Sequence, residues 1–313
     1  GWYTLSLHDA LPISGTLTHS GGTITVSDGG NAAAPGIFVG HADSAAASTF
    51  TLKGGTLAGG ASLRVQAPGT LQGYGSVPLG TFRQITNSGR IIADGDGVER
   101  SLDLSSYTGF NNSTGPNEIQ SPAENASDHG WYATDKGKLI LPALGRAGSG
   151  FYYINSVTGN SYNWGEQAND TAIDLVNSAR FTFSGLGAGN GVLTGSLLAT
   201  DRSDVPVFDL GMGFQGLISV HDFGLTGNTF SSFDLTIRYD EAAAGEFESD
   251  LQVFHYTGGA WLPVTTGLDL ANNLITAGGL TSFSLFGVGY AIPEPGTLAL
   301  AAVAGLALLR RHR

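Results

Sequence analysis

The sequence predicts an all-β protein, in which a right-handed parallel β-helix is followed by an antiparallel β-sandwich and one short C-terminal transmembrane helix. Residues 15–145 hold short β-prone runs between glycine-led turns, whereas residues 146–290 hold longer runs that alternate apolar and polar side chains. Residues 297–309 form an apolar run without charge or proline. No helix of more than about ten residues is predicted before residue 297.

Composition limits the classes of function. Of the 313 residues, 41% are hydrophobic, which is enough for a buried core. The 48 glycines do not recur at every third position, which excludes collagen. The net charge of −12 makes nucleic acid a poor partner, because phosphate binding needs clustered Lys and Arg. The chain has no cysteine, which excludes disulfides, thiol catalysis and Cys-ligated metal sites.

Residues 1–14 are interpreted as a non-native tail. They begin with Gly1 and lack the basic, apolar and small-residue order of a secretory signal peptide. Segment 4–13 resembles translated sequencing-adapter sequence, and an ordinary N-terminal tail is the alternative. No function is assigned to this tail.

Residues 15–145 form the predicted β-helix. A Gly-Thr-Leu phrase, or a close variant of it, recurs at residues 15, 22, 55, 69 and 80 and indicates a turn followed by a strand. The spacing is uneven, which favours stacked coils with loops of variable length over a repeat of fixed period. The strands are expected at 23–26, 37–39, 62–66, 90–93, 101–104 and 138–141.

Two segments of this region resemble the autotransporter-associated β-strand repeats of bacterial surface proteins. They are residues 69–77, Gly-Thr-Leu-Gln-Gly-Tyr-Gly-Ser-Val, and residues 87–93, Asn-Ser-Gly-Arg-Ile-Ile-Ala. The resemblance implies only a stack like that of an autotransporter passenger.

Residues 146–290 form the predicted β-sandwich, after a soft boundary near residue 146. Residues 233–239 place Phe, Leu, Ile and Tyr on one face and Asp, Thr and Arg on the other. A Gly-Gly turn predicts a hairpin over 256–261, and 241–248 is expected to form one or two helical turns. Trp261 is interpreted as a core anchor, with a sugar-stacking platform as the alternative. Further strands are expected at 179–183, 191–197, 217–222, 251–256 and 281–288.

The C-terminus combines three features in a fixed order. Pro293, Glu294 and Pro295 come first, and the two prolines hold that segment extended and accessible. The apolar run rises by only ~20 Å as a helix, which is short for a hydrocarbon core of ~30 Å. The predicted membrane-anchoring residues are Thr297, Leu298, Leu300, Val303, Leu306, Leu308 and Leu309, and the predicted cytoplasmic stop is Arg310, Arg311 and Arg313.

This order resembles the PEP-CTERM sorting signal of Gram-negative bacteria. The resemblance covers residues 292–313 and implies that an exosortase recognises Pro293, Glu294 and Pro295 and removes the helix. It also implies delivery to the cell surface or the exopolysaccharide matrix. A plain C-terminal anchor and a buried terminal helix are the alternatives.

One candidate metal site is found in the sequence. Asp94, Asp96 and Glu99 lie on a glycine-rich turn, and carboxylates spaced in this way can converge on Ca²⁺. A solvated acidic turn is the favoured interpretation, because the EF-hand pattern is incomplete. No metal and no cofactor is therefore predicted.

An enzyme is the alternative to a structural role, because polysaccharide lyases and hydrolases often use β-helix scaffolds. The adjacent His221 and Asp222 are not expected to form a catalytic pair, since neighbouring strand residues point to opposite faces. His255 is interpreted as a strand residue, and the glycine-rich segment 185–191 as a turn rather than a phosphate loop. The candidate general bases in the first region are Lys53, Lys136, Lys138, His19, His41 and His129.

The sequence therefore predicts an exported, non-enzymatic protein of the bacterial surface or exopolysaccharide matrix, with a structural or adhesive role. Its predicted partners are an exosortase and the inner membrane, both transiently, and polysaccharide. The alternative is a surface polysaccharide lyase or glycoside hydrolase.

Overall fold

The computed structural model describes residues 11–13, 15–26, 37–40, 47–59, 63–78, 85–106, 110–111, 129–144, 153–166, 172–211 and 214–292. These residues are mostly β. The strands are β1 (Leu11–Ile13), β2 (Thr16–His19), β3 (Thr23–Val26), β4 (Ile37–Val39), β5 (Thr49–Gly59), β6 (Leu63–Ser76), β7 (Ile85–Asp94), β8 (Arg100–Asp103), β9 (Phe110–Asn111), β10 (Gly130–Thr134), β11 (Gly137–Ile140), β12 (Ser161–Trp164), β13 (Ala179–Ser184), β14 (Val192–Leu198), β15 (Phe214–Thr226), β16 (Ser232–Arg238), β17 (Leu251–Thr257), β18 (Ala260–Pro263), β19 (Thr265–Asp269), β20 (Leu274–Leu280) and β21 (Leu285–Ile292). A short helix α1 (Glu241–Ala244) and a 3-10 helix (Gly245–Asp250) precede β17.

Strands β1 to β11 form the parallel region. They pair side by side in parallel ladders, and several buried apolar residues stack from one strand to the next. Residues 11–13, which the sequence assigns to the tail, are paired with β4 in this region. The stack through β5, β6, β7 and β10 places four buried apolar side chains in register, namely Phe50, Leu71, Ile91 and Trp131.

Strand β6 is longer than the sequence predicts, and β5 is not among the expected strands. The expected strand at 62–66 continues as β6 through Ser76, because the chain bends without ending its ladder. Gly73 shows why glycine is required at such a bend. Its φ is +112°, and a Cβ there would collide with the carbonyl oxygen of Leu52 on the neighbouring strand. The glycine-led phrases therefore mark bends within strands as well as turns between them.

The parallel region continues into the rest of the protein through a shared sheet. Leu102 of β8 pairs with Leu139 of β11 in parallel, and Leu139 pairs with Leu197 of β14 in antiparallel. The described part of this sheet then runs through β15, β21, β17 and β18, all antiparallel. The change from parallel to antiparallel pairing thus takes place between β11 and β14.

Residues 153–292 form the antiparallel region, in which two sheets pack face to face. The second sheet has the order β12, β13, β16, β20 and β19 among the described strands. Aromatic rings fill the space between the sheets, and Trp164 meets Phe223 edge-on at 5.0 Å between ring centroids. Phe181 also contacts Phe223, at 4.9 Å. Burial of these rings stabilises the packing of the two sheets.

The predicted elements of the antiparallel region are largely confirmed. The hairpin turns at Gly258 and Gly259, both with positive φ, as a two-residue turn between twisted strands requires. Asp240 caps α1 by accepting from the backbone N–H groups of Ala242 and Ala243. The strand expected at 281–288 is displaced, because β21 begins at Leu285 and ends at Ile292.

Trp261 is buried, with 4% of its surface exposed, so its ring is a core anchor and not a stacking platform. Its indole N–H donates to the carbonyl oxygen of Pro206 at 3.2 Å. Within the residues described, the structure has no helix with the length and apolar character needed to span a bilayer. The predicted transmembrane run 297–309 lies outside the described residues.

Candidate functional site

The strand that leads into the C-terminal segment is an inner strand of the large sheet. β21 lies between β15 and β17, and its last residue, Ile292, pairs with Phe214. Two residues earlier, Tyr290 pairs with Gly216 on one side and with Leu251 on the other. The sequence continues from Ile292 directly to Pro293. No spacer therefore separates the paired strand from the Pro-Glu-Pro element.

The core holds β21 firmly. Phe286 and Val288 are fully buried between the two sheets. At Gly289, a Cβ would collide with the carbonyl oxygen of Gly216, so the two backbones lie unusually close. Displacing this strand would expose apolar surface and break hydrogen bonds on both sides. The end of β21 at Ile292 is therefore held in place by the fold.

Apolar and acidic side chains surround this exit. Phe214 is 55% exposed, and the ring of Phe247 stacks on Tyr290 at 4.3 Å. Asp209 and Asp250 are exposed on the two sides of β21, next to β15 and β17 respectively. Hydrogen bonds from the backbone N–H of Gly211 and the side chain of Gln215 lower the pKa of Asp209, which keeps that carboxyl ionised.

The sequence-predicted sorting residues lie outside the described residues. The set comprises the recognition element Pro293, Glu294 and Pro295, the anchor residues Thr297, Leu298, Leu300, Val303, Leu306, Leu308 and Leu309, and the basic residues Arg310, Arg311 and Arg313. The last described residue before them is Ile292, at the end of β21.

The acidic turn at 94–99 does not direct its carboxylates to one point. Asp94 Oδ1 accepts from the backbone N–H of Asp96, and Asp96 Oδ2 faces Lys53 Nζ at 3.3 Å. Glu99 Oε1 accepts from the backbone N–H of Ser203 at 2.7 Å. Within the described part of the chain, no cluster of three metal-ligating side chains occurs. These contacts join the turn to β5 at Lys53 and to the loop at Ser203.

His221 and Asp222 point to opposite faces of β15, as the sequence predicts. His221 is fully buried, its Nε2 lies 3.2 Å from Ser219 Oγ, and burial lowers its pKa to about 3. Asp222 lies on the other face, 3.9 Å from Lys138 Nζ. His255 is a strand residue, stacked on Phe286 at 4.4 Å, and burial lowers its pKa as well. Both imidazoles serve as core side chains.

The candidate general bases of the parallel region have ordinary surface contacts where they are described. Lys53 and Lys138 form the ion pairs already given, with Asp96 and Asp222. His19 Nε2 lies 3.4 Å from the carbonyl oxygen of Gly22. The remaining three candidates are Lys136 and His129, which are described, and His41, which lies outside the described residues.

Sequence reasoning missed Glu166. This carboxyl is 1% exposed, and its Oε1 accepts from the backbone N–H groups of Asp174 and Leu175 and from Ser178 Oγ. Burial raises its pKa to about 7, because the desolvation of the charged form outweighs the hydrogen bonds that favour that form. A glutamate that follows a glycine at a strand end is typical of an exposed turn, so no pattern in the sequence marks it as buried.

Glu166 lies where the two regions meet. The indole N–H of Trp131, in the last stacked position of the parallel region, donates to the carbonyl oxygen of the adjacent Gly165 at 2.9 Å. Asn177 donates from its amide to the carbonyl oxygen of Trp131 at 2.8 Å. The carboxyl therefore organises a polar junction and not a surface cleft.

Comparison with protein families finds one match. The PEP-CTERM protein-sorting motif matches residues 291–313. No curated protein and no solved structure matches the chain. The motif supports a PEP-CTERM protein, which is an exported surface protein whose membrane-anchored precursor is processed by an exosortase.

Proposed function

We propose that this protein is a non-enzymatic structural and adhesive component of the cell surface or exopolysaccharide matrix of a Gram-negative bacterium. The apolar run 297–309 holds the precursor in the inner membrane, with Arg310, Arg311 and Arg313 in the cytoplasm. An exosortase then cuts at Pro293–Pro295 and releases the body. The family match at residues 291–313 supports the sorting part of this proposal.

The body is inferred to be a right-handed parallel β-helix joined to a β-sandwich. In-register parallel pairing supports the helix, since Thr49 pairs with Thr70 and Thr70 pairs with Arg90 in successive strands. The two packed antiparallel sheets support the sandwich. The likeness of residues 69–77 and 87–93 to autotransporter-associated repeats stays a prediction.

A column of neutral hydroxyl groups carries the adhesive part of the proposal. Thr16, Thr49 and Thr70 are directly adjacent across β2, β5 and β6. We call these three residues the hydroxyl column. Adjacent strands repeat at ~4.8 Å, so the three threonines present evenly spaced, uncharged hydrogen-bonding groups, and Arg90 follows Thr70 on β7.

The next position along these strands offers less to a ligand, because Thr51 is buried and its Oγ1 accepts from the side-chain amide of Gln72 at 3.1 Å. The hydroxyl groups of the hydroxyl column suit those of a neutral polysaccharide chain, which can both donate and accept hydrogen bonds.

Retention on insoluble polysaccharides tests this proposal. Replacing the hydroxyl column by Thr16→Val, Thr49→Val and Thr70→Val removes the donors and keeps the β-branched shape. At about 1 kcal/mol for each of three hydrogen bonds lost, retention on a polysaccharide that the wild type binds should fall by about a hundredfold. Co-sedimentation of the purified protein with a panel of neutral and acidic polysaccharides measures it.

The matched control replaces three threonines of the antiparallel region, Thr182, Thr257 and Thr266, by valine. It should bind as the wild type does. Equal binding by both triple variants would contradict the role of the hydroxyl column. Release of oligosaccharides during the incubation would contradict the non-enzymatic part and would favour a polysaccharide lyase or glycoside hydrolase.

A further inference from the structure

The sorting motif and the folded sheet share residues. The family match begins at residue 291, whereas β21 ends at Ile292. Ala291 is paired with Gln215, and Ile292 is paired with Phe214. The first two residues of the matched motif are therefore part of an inner strand.

The short distance to the fold limits how an enzyme can reach the motif. Glu294 is two residues beyond Ile292, and an extended chain advances by at most ~3.6 Å per residue. The backbone of Glu294 is therefore within ~7 Å of the last paired residue. An enzyme that encloses Pro293–Pro295 while the sheet is intact must also contact the residues that flank the end of β21.

The residues that flank this end form a distinct surface, which we call the exit rim: Asp209, Phe214, Phe247, Asp250 and Ile292. Phe214 and Ile292 continue, at the end of the sheet, the same face that carries Phe286 and Val288 in the core.

The apolar part of the exit rim is incompletely covered. Phe247 covers Tyr290, but Phe214 keeps 55% of its surface exposed. The carboxylates of Asp209 and Asp250 stand beside this apolar surface and are exposed.

We propose that the exit rim is a docking surface for the exosortase, and that the enzyme recognises folded residues in addition to Pro-Glu-Pro. This proposal rests on the exosortase processing given above. The partner surface would offer an apolar pocket for Phe214 and cationic or N–H donor groups for the neighbouring carboxylates. A bare bilayer surface is a poorer occupant. Interfacial anchoring combines aromatic with basic side chains, whereas the exit rim combines aromatic with acidic side chains.

The variant Phe214→Ser tests the docking surface in the full chain, exported in a host that has an exosortase. An exposed aromatic anchor at a protein interface contributes enough that its loss should slow conversion of precursor to mature protein about tenfold. Pulse-chase labelling and immunoblotting measure the conversion. Phe214→Leu keeps an apolar side chain and should restore most of the rate. An unchanged or faster rate in Phe214→Ser would overturn the proposal.

Two further variants separate a docking role from a structural one. Leu262→Ser removes an apolar side chain that is 48% exposed on the same sheet, opposite His255, and should leave the rate unchanged. A flexible spacer of about twelve Gly and Ser residues between Ile292 and Pro293 moves the motif away from the rim. It should slow conversion and abolish the effect of Phe214→Ser. Faster conversion with the spacer would show that the rim is an obstacle and would overturn the proposal.

Failure of this inference is distinguishable from failure of the sorting function. The triple variant Pro293→Ala, Glu294→Ala and Pro295→Ala should stop conversion whether or not the rim takes part. If the triple variant stops conversion while Phe214→Ser converts at the wild-type rate, the proposed docking role of the exit rim is wrong and the sorting function stands. If the triple variant converts normally, the sorting function itself is wrong.

Discussion

The parallel and antiparallel regions share one sheet but fill their cores differently. In the parallel region apolar side chains of one strand lie above those of the strand before, as Leu71 lies between Phe50 and Ile91. In the antiparallel region the aromatic rings meet across two sheets, and carboxyl and imidazole groups are buried beside them. Among the described residues, the buried Glu and His side chains are Glu166, His221 and His255, all in the antiparallel region.

This difference separates two sources of stability. The stacked core depends on repetition, and each layer contacts only its neighbours, so the effect of a substitution is local. The aromatic core depends on a single arrangement of large rings, and its buried ionisable groups couple that arrangement to pH. The end that leads to the sorting signal belongs to the second kind.

The largest expected effect is the loss of Trp164. Its ring is fully buried and contacts both His221 and Phe223, so Trp164→Ala should reduce the free energy of unfolding by about 4 kcal/mol. The comparison variant Leu71→Ala should reduce the free energy of unfolding by about 3 kcal/mol and should affect mainly the parallel region. Thermal unfolding measured by circular dichroism gives the size of each effect.

Hydrogen exchange locates the two effects. Trp164→Ala should lower amide protection in β12, β13 and β15, whereas Leu71→Ala should lower it in β5, β6 and β7. Equal loss of protection in both regions for either variant would contradict this difference between the two parts of the core.

The second effect is a pH dependence carried by Glu166. Burial raises its pKa from 4.5 to about 7, so between these values the folded protein keeps a proton that the unfolded chain releases. The contribution of Glu166 to the free energy of unfolding therefore falls by about 3 kcal/mol as pH rises through that window. His221 acts in the opposite sense, because burial lowers its pKa to about 3 and stability falls as pH drops below 6.5.

The variant Glu166→Gln isolates the contribution of the carboxyl. It keeps an acceptor for Asp174, Leu175 and Ser178 but cannot ionise. As pH rises from 4.5 to 7, the free energy of unfolding of the variant should increase by about 3 kcal/mol relative to that of the wild type. Denaturant unfolding at a series of pH values measures this difference. Glu246→Gln, which alters an exposed carboxyl, is the control and should follow the wild-type profile. Parallel profiles for wild type and Glu166→Gln would show that the carboxyl is ionised in the folded state.

The sequence predicts the architecture better than the internal details. Alternation over 233–239 and the Gly-Gly turn at 258–259 identify β16 and the hairpin, because these signals are local. The length of β6 is not predicted, since whether a glycine bends a strand or ends it depends on the neighbouring strand. The displacement of β21 to Leu285–Ile292 has a similar cause, because its register is set by pairing with β15 and β17.

The candidate site divides in the same way. The Pro-Glu-Pro element, the apolar run and the basic end can be recognised from the sequence, since all three are contiguous. The exit rim cannot, because Phe214 and Asp250 come beside Ile292 only through strand pairing. The burial of Glu166 cannot be recognised from the sequence either, because folding brings the donors of residues 174, 175 and 178 to its carboxyl.

The most direct test of the account is the fate of the C-terminus during export. The full chain and the Pro293→Ala, Glu294→Ala, Pro295→Ala variant are exported in hosts with and without an exosortase, and the C-terminal peptides are identified by mass spectrometry. We expect that only the wild type in the exosortase-positive host loses residues 297–313 and leaves the inner membrane. Retention of those residues by the wild type in that host, or their loss from the variant, would contradict it.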